Sequence, residues 1–169
     1  DKIKDTAYSN NRIFIIEVMG KKTGFLALNS GIALGSLYIV YNKEYNIKKI
    51  INLLNKKLIY SNIIIVAENK KIGKASNIIY KKIKEKIKNY EIRCSILGHI
   101  QRGGAPTCID RILGIRFGLE SIKKMINLEY NIVIGIKNNK IISIPFKESV
   151  KRYKKKIDKN SIYIYNNFY

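Results

Sequence analysis

Four short stretches of this chain combine residue types that can hold charged groups. The densest is Gly98-His99-Ile100-Gln101-Arg102-Gly103-Gly104-Ala105-Pro106-Thr107, with Asp110-Arg111 close behind. His99 is the chain's one histidine. Glycines before and after the His and Arg leave the backbone open while two cationic-capable side chains converge, which suits a phosphomonoester. Arginine offers phosphate oxygens a planar fork, and histidine donates a hydrogen bond at neutral pH even when uncharged. A structural histidine is the competing reading. The second stretch, Glu17-Val18-Met19-Gly20-Lys21-Lys22-Thr23-Gly24, runs from a strand end through a turn bounded by glycines. It either brings backbone N–H groups close to an anion or is an ordinary strand-to-helix turn. The third is Glu68, at the end of an apolar run, where its carboxylate suits sugar hydroxyls or else caps a helix or lies exposed to solvent. The fourth is Arg12. Arginine is scarce in this Lys-dominated sequence, so its use suggests a geometry that lysine cannot reproduce. Cys94 and Cys108 match no zinc or redox spacing and read as packing residues.

The elements that must position these residues alternate. Residues 13–18, 37–41, 63–67 and 92–97 are short runs rich in β-branched side chains, which predicts strands buried on both faces. Between them lie amphipathic stretches. Asn46 can cap a helix with Ile47, Ile50, Ile51, Leu54 and Leu58 on one face, and Ala75, Ile79, Ile83 and Ile87 mark a stripe on the next. The order βαβαβαβ predicts a parallel sheet with helices on its faces, an α/β fold. A helix is expected from about 107 to 128, then a hairpin of strands 132–136 and 141–144 around Lys137-Asn138-Asn139-Lys140, with Pro145 ending the second arm. The tail from 151 to 169 reads as a basic segment followed by a Tyr/Asn-rich end.

Composition narrows the function classes. The 169 residues fit one domain, or one lobe of something larger, and the hydrophobic fraction of 46% excludes a disordered chain. The apolar runs are too short to span a bilayer. The first residues carry no apolar signal core, and two cysteines make no disulfide framework, so a reducing cytosol is the expected compartment. The absence of an initiator Met hints at a start further upstream. A formal charge of +21 invites a nucleic-acid or anionic-membrane partner. However, Lys, Ile, Asn and Tyr are in excess together, as AT-rich coding produces, and the lysines are spread along the sequence with no nucleic-acid reading motif. No nucleic-acid or membrane partner is therefore expected.

Taken together, the segments resemble the C-terminal portion of the bacterial-type 6-phosphofructokinase family. The resemblance rests on Arg93-Cys94-Ser95-Ile96-Leu97-Gly98-His99-Ile100-Gln101-Arg102-Gly103-Gly104, continuing through Pro106-Thr107 to Asp110-Arg111. Supporting it are Lys4-Asp5-Thr6, Glu17-Val18-Met19-Gly20 with Gly24-Phe25, Glu68, and Val133-Ile134-Gly135-Ile136 with Asn138, so it reaches from the first residue to about Ile144. It implies a three-layer α/β sandwich of the phosphofructokinase type. Residues 1–100 would form the fructose 6-phosphate-binding domain and 101–150 a segment returning to an N-terminal nucleotide-binding domain, with 151–169 packing back on the sugar-phosphate domain.

By the same resemblance, Arg12 and Arg93 hold the 6-phosphate and reach in from a neighbouring subunit. Met19, Gly20, Lys21, Glu68, His99 and Arg102 line the same sugar phosphate, with Lys21 standing where the family usually has arginine. Family members phosphorylate fructose 6-phosphate at O1 with Mg-ATP, as cytoplasmic homotetramers in glycolysis. The catalytic base, the nucleotide loops and the sites for ATP and Mg²⁺ are expected N-terminal to this chain, so no catalytic residue is assigned here and the isolated chain is expected to be inactive. Pyrophosphate as donor stays open. Lys4 and Gly35 fall in the family's effector pocket. There Lys4 replaces an arginine, Leu37 an acidic metal contact, and Ile59 and Tyr60 lie near usually basic positions, so control by ADP or phosphoenolpyruvate is expected to be lost or weakened. The alternative functions are a non-catalytic sugar-phosphate-binding lobe and a basic nucleic-acid-binding domain.

Overall fold

The computed structural model describes residues 1–20, 23–42, 44–56, 61–69, 71–152 and 157–168. Lys21, Leu58, Ile59 and Tyr60, named above, lie outside the described residues. In chain order the elements are α1 (Lys2–Ser9), β1 (Arg12–Val18), α2 (Phe25–Leu34), β2 (Tyr38–Val40), α3 (Ile47–Asn55), β3 (Ile63–Ala67), α4 (Lys74–Lys86), β4 (Glu91–Ile96), a 3-10 turn (Gly98–Gln101), α5 (Cys108–Ile126), β5 (Ile132–Lys137), β6 (Lys140–Pro145), α6 (Phe146–Arg152) and α7 (Lys159–Phe168). They divide into two compact units, Asp1–Arg102 with Lys156–Tyr169, and Gly103–Lys155.

In the first unit, β1 to β4 form a parallel sheet in the order β2-β3-β1-β4. Side chains alternate between its faces. Ile13, Ile15, Ile64 and Val66 pack with Ile50 and Leu54 of α3 and Ile79 and Ile83 of α4. Ile16, Val18, Ile63 and Ile65 pack with Ala7 of α1, Ala27 and Leu28 of α2, and Tyr165 of α7. Helices on both faces give the three-layer α/β arrangement that the sequence predicts. Asn46 caps α3 as expected, its side-chain oxygen accepting the Lys49 N–H at 3.1 Å.

Three features differ from the sequence expectation. β4 is an edge strand in which only Ile92 is buried, because a sheet edge has one neighbour and one open flank. β2 is limited to the three residues that pair with β3. The first and last helices, α1 and α7, lie outside the sequence expectation. Of α1 only Ala7 is buried, and α7 is held chiefly by Tyr165. That hydroxyl donates to Ile39 O at 3.2 Å, and the ring meets Tyr38 and Tyr41 edge-on at 6.4 and 5.7 Å between centroids.

The second unit begins with α5, opened by a reciprocal capping box. Thr107 Oγ1 accepts the Asp110 N–H at 3.2 Å, and Asp110 Oδ2 accepts the Thr107 N–H at 2.9 Å. β5 and β6 pair antiparallel down to Lys137 opposite Lys140. The Asn138-Asn139 turn between them has φ of 49° and 60°, the left-handed values of a tight hairpin turn. Among the described residues, no helix is long and apolar enough to cross a membrane.

Candidate functional site

Potential ligand groups of the first unit gather at the two ends of β1. At its C-terminal end, the exits of β3 and β4 are bonded to the exit of β1. Val18 O accepts Glu68 N–H at 2.8 Å, and Glu17 O accepts Leu97 N–H at 3.1 Å. Beyond them, Met19 N–H donates to Gln101 Oε1 at 2.8 Å and Gly20 N–H donates to Glu68 Oε1 at 3.4 Å. Two consecutive backbone donors are thus met by side chains from the two flanking strand exits. Glu68 is buried, while His99 and Arg102 are exposed at the ends of a turn closed by Arg102 N–H on His99 O at 2.9 Å. Such an edge of a parallel sheet is where ligands of open α/β folds collect. A cavity of about 390 Å³ opens beside Glu68, with Thr23, Asn42, Glu44 and Asn69 among its polar lining.

Gly24, at the start of α2, packs against Tyr41, the residue that follows β2. Gly24 has φ of 60°, and a Cβ there would lie 1.7 Å from Tyr41 O, so no larger residue fits without moving backbone. Below the turn, strand alternation sends the Glu17 side chain toward α4, into the apolar interior. A buried carboxylate needs donors. It finds them at the start of α4, where Oε1 accepts Gly73 N–H at 2.5 Å and Oε2 accepts Ser76 N–H at 3.1 Å and Ser76 Oγ–H at 2.7 Å. Helix α4 has no cap from its own sequence neighbours, and Glu17 supplies one from β1.

The opposite end of β1 holds the two arginines. Arg12 lies opposite Glu91 in the β1–β4 register. Arg12 Nε bonds Glu91 Oε2 at 2.5 Å, and Arg93 bonds the other oxygen of the same carboxylate. The Arg12 hydrogen bond, with Arg93 adding to it, holds the Glu91 carboxyl below the usual carboxylate range. The seven residues of β1 span roughly 20 Å at the usual rise per strand residue. Within one chain, therefore, Arg12 lies that far from the β1 exit and Arg93, opposite Phe14, roughly 13 Å from it, which sets both apart from Met19, Gly20, Glu68, His99 and Arg102.

Lys4 and Gly35, the effector candidates, come together elsewhere: Lys4 Nζ donates to Leu34 O at 3.0 Å, at the C-terminal end of α2 next to Gly35. A cation there also complements the helix dipole. Cys94 is half-buried against the α3/α4 core, and burial raises its thiol pKa, which disfavours the thiolate. Three residues of this architecture were not assigned from the sequence: Glu17, Gln101 and Glu91. A single carboxylate at a core-facing position of an apolar strand was a signal for Glu17. Gln101 stood inside the densest motif, and nothing local marked Glu91.

Chemically, the C-terminal edge offers a carboxylate, backbone N–H groups, an imidazole and a guanidinium to a hydroxylated anion, and the N-terminal edge offers two more guanidinium groups. Among the described residues, no three His, Cys, Asp or Glu side chains converge as a metal site.

The Phosphofructokinase sequence profile matches residues 1–125. An ATP-dependent 6-phosphofructokinase 2 of Bacteroides thetaiotaomicron is 39% identical over 158 residues, covering 91% of this chain and 48% of its own length. An ATP-dependent 6-phosphofructokinase of Persephonella marina is 38% identical over 164 residues, covering 92% and 49% respectively. The chain thus spans about half the length of these curated relatives. Among solved structures, a phosphofructokinase from Saccharomyces cerevisiae superposes with a TM-score of 0.76 at 30% identity, covering 99% of this chain and 26% of the other. A Pichia pastoris phosphofructokinase in the T-state gives 0.70 at 28%, covering 93% and 20%.

Proposed function

The chain belongs to the phosphofructokinase family, and from that premise we propose that it supplies the fructose 6-phosphate site of a 6-phosphofructokinase, which transfers the γ-phosphoryl group of ATP to the sugar's 1-hydroxyl. Glu68 would accept hydrogen bonds from ring hydroxyls, the Met19–Gly20 backbone would border the sugar, and His99 and Arg102 would face its phosphate. Arg12 and Arg93 would complete the phosphate site from a second copy, with Lys21 as a further cation. ATP and the Mg²⁺ that accompanies its phosphates would be held by other parts of the protein. Phosphoryl transfer of this kind depends chiefly on positioning and charge stabilisation, and the residues named here would provide the sugar's share of both.

The observation that carries this reading is the separation of the two groups along β1. A phosphate a few ångströms wide cannot touch both ends of one strand, whereas a second copy can bring its arginine end to the first copy's carboxyl edge, as symmetric interfaces allow. A homotetramer in the cytoplasm is the assembly and setting we infer. The second unit supports a division of labour between 1–100, 101–150 and 151–169. Ile112, Ile115, Leu119, Ile122 and Ile126 make a continuous exposed apolar stripe on α5, as expected of a segment that returns to another domain. Lys4 at the end of α2 supports weakened effector control, since its single ammonium, bonded to Leu34 O, lacks the planar fork with which an arginine grips an anion.

The test is titration calorimetry of fructose 6-phosphate with wild-type chain, an Arg93→Ala variant, a His99→Ala variant and an equal mixture of the two variants. Saturable binding is expected for the wild type and not for either variant alone. If two copies share each site, refolding the variants together should restore about one quarter of the sites by random pairing. Absence of saturable wild-type binding would end the sugar-phosphate reading.

A further inference from the structure

We propose that Gln101 is a positioning residue for this site, setting the Met19–Gly20 turn against the His99–Arg102 turn; the proposal rests on the sugar-phosphate reading above. Gln101 ends the 3-10 turn whose other members include His99, and its backbone is continuous with Arg102. Its side chain reaches across to β1, where Oε1 accepts the Met19 N–H at 2.8 Å, a bond between residues 82 apart in sequence. It is the shorter of the two side-chain contacts on that turn, since the Glu68 contact to Gly20 N–H is 3.4 Å. The difference matters. At 2.8 Å the Met19 donor is fully engaged, whereas at 3.4 Å the Gly20 bond is near the limit of a useful hydrogen bond. Gln101 is therefore the firmer clamp on the turn, and Glu68 keeps more freedom to accept from a ligand.

The surroundings show that the amide is used for this bond and is not needed as filler. Ile16, Val18, Leu26 and Leu97, with Lys4 and Ser30 further out, line the adjoining cavity of about 500 Å³ together with Gln101. The cavity leaves room for an unbranched apolar side chain of the same length at 101. Catalytic and binding sites lose function when a supporting shell lets the first contacts drift by about 1 Å, and among the described residues the Gln101 side chain joins the two turns directly.

The experiment uses the full 169-residue chain with Gln101→Met, which keeps length and removes the strong acceptor, and Gln101→Glu, which keeps an acceptor oxygen. Amide hydrogen exchange at Met19 and Gly20, the melting temperature and the fructose 6-phosphate Kd are read for each. In Gln101→Met, exchange at Met19 should rise roughly three- to tenfold, the worth of one neutral hydrogen bond, and Kd should rise by a similar factor with the melting temperature unchanged. In Gln101→Glu, protection at Met19 should return. Unchanged exchange in Gln101→Met overturns the clamp, and faster exchange with an unchanged Kd overturns the positioning role. A fall in melting temperature that accounts for the whole change in Kd reduces Gln101 to a fold contact and also overturns it. If the wild type shows no saturable sugar-phosphate binding while Gln101→Met still loses protection, the sugar reading fails and the positioning role falls with it, leaving only the contact.

Discussion

Replacing Glu17 by Gln should destabilise the first unit by about 2 kcal/mol, and replacing it by Ala by about 4 kcal/mol. Glu17 is only 1% exposed and meets three donors: Gly73 N–H at 2.5 Å, Ser76 N–H at 3.1 Å and Ser76 Oγ–H at 2.7 Å. A hydrogen bond to a charged group is worth roughly 1.5–3 kcal/mol net, and an orphaned buried donor costs roughly 1–3 kcal/mol. Glutamine keeps one oxygen. Placed where Oε2 now sits, it still serves both Ser76 donors, but its NH₂ then faces the Gly73 N–H, donor against donor. One charge-assisted bond is lost, together with the favourable interaction of an anion with the α4 dipole. Alanine removes all three acceptors and leaves a void, and the losses overlap because the donors belong to one helix turn. The assay is equilibrium urea unfolding followed by far-ultraviolet circular dichroism. With slopes of roughly 1–3 kcal/mol per molar for domains of this class, Glu17→Gln should lower the midpoint by about 1 M. A Glu17→Gln midpoint within about 0.2 M of the wild type would refute the claim that this buried carboxylate is the cap of α4.

Two further outcomes follow from local geometry. Gly24→Ala should lower stability by at least about 3 kcal/mol, because φ is 60° and the new Cβ would overlap Tyr41 O. Gly35→Ala, with φ of 64° but nothing within 4 Å, should cost only about 1 kcal/mol, and equal thermal shifts for the pair would contradict the role of the Tyr41 contact. At the start of α5, hydrogen bonds from the Thr107 side chain and backbone hold the Asp110 carboxyl below its ordinary 3.8. Because the folded value is the lower one, this contribution is complete above about 3.8 and is lost as pH falls through the depressed value. Thr107→Val should move the Asp110 midpoint up toward 3.8 in an NMR titration, and an unmoved midpoint would show that the capping box is not its cause.

What the sequence determined by itself is local. β-branched runs such as Ile63–Ala67, the Asn46 cap of α3, the Thr107 start of α5 and the Asn138-Asn139 turn each carry their signal within a few residues, because propensity, capping and turn chemistry act over one or two turns of chain. The motif from Gly98 to Gly104 was legible for the same reason. The tertiary structure decided which distant groups meet. Only the sheet order β2-β3-β1-β4 brings Gln101 and Glu68 to the exit of β1 and sets Arg12 and Arg93 on Glu91 at its far end. Helices α1 and α7 are held because a sheet face is there to receive Ala7 and Tyr165, and which face that is depends on strands distant in the chain. Glu17 makes the contrast sharpest: read along the chain it is a charge misplaced in an apolar strand, and only the fold puts the unpaired N–H groups of α4, 56 to 59 residues away, against its two oxygens.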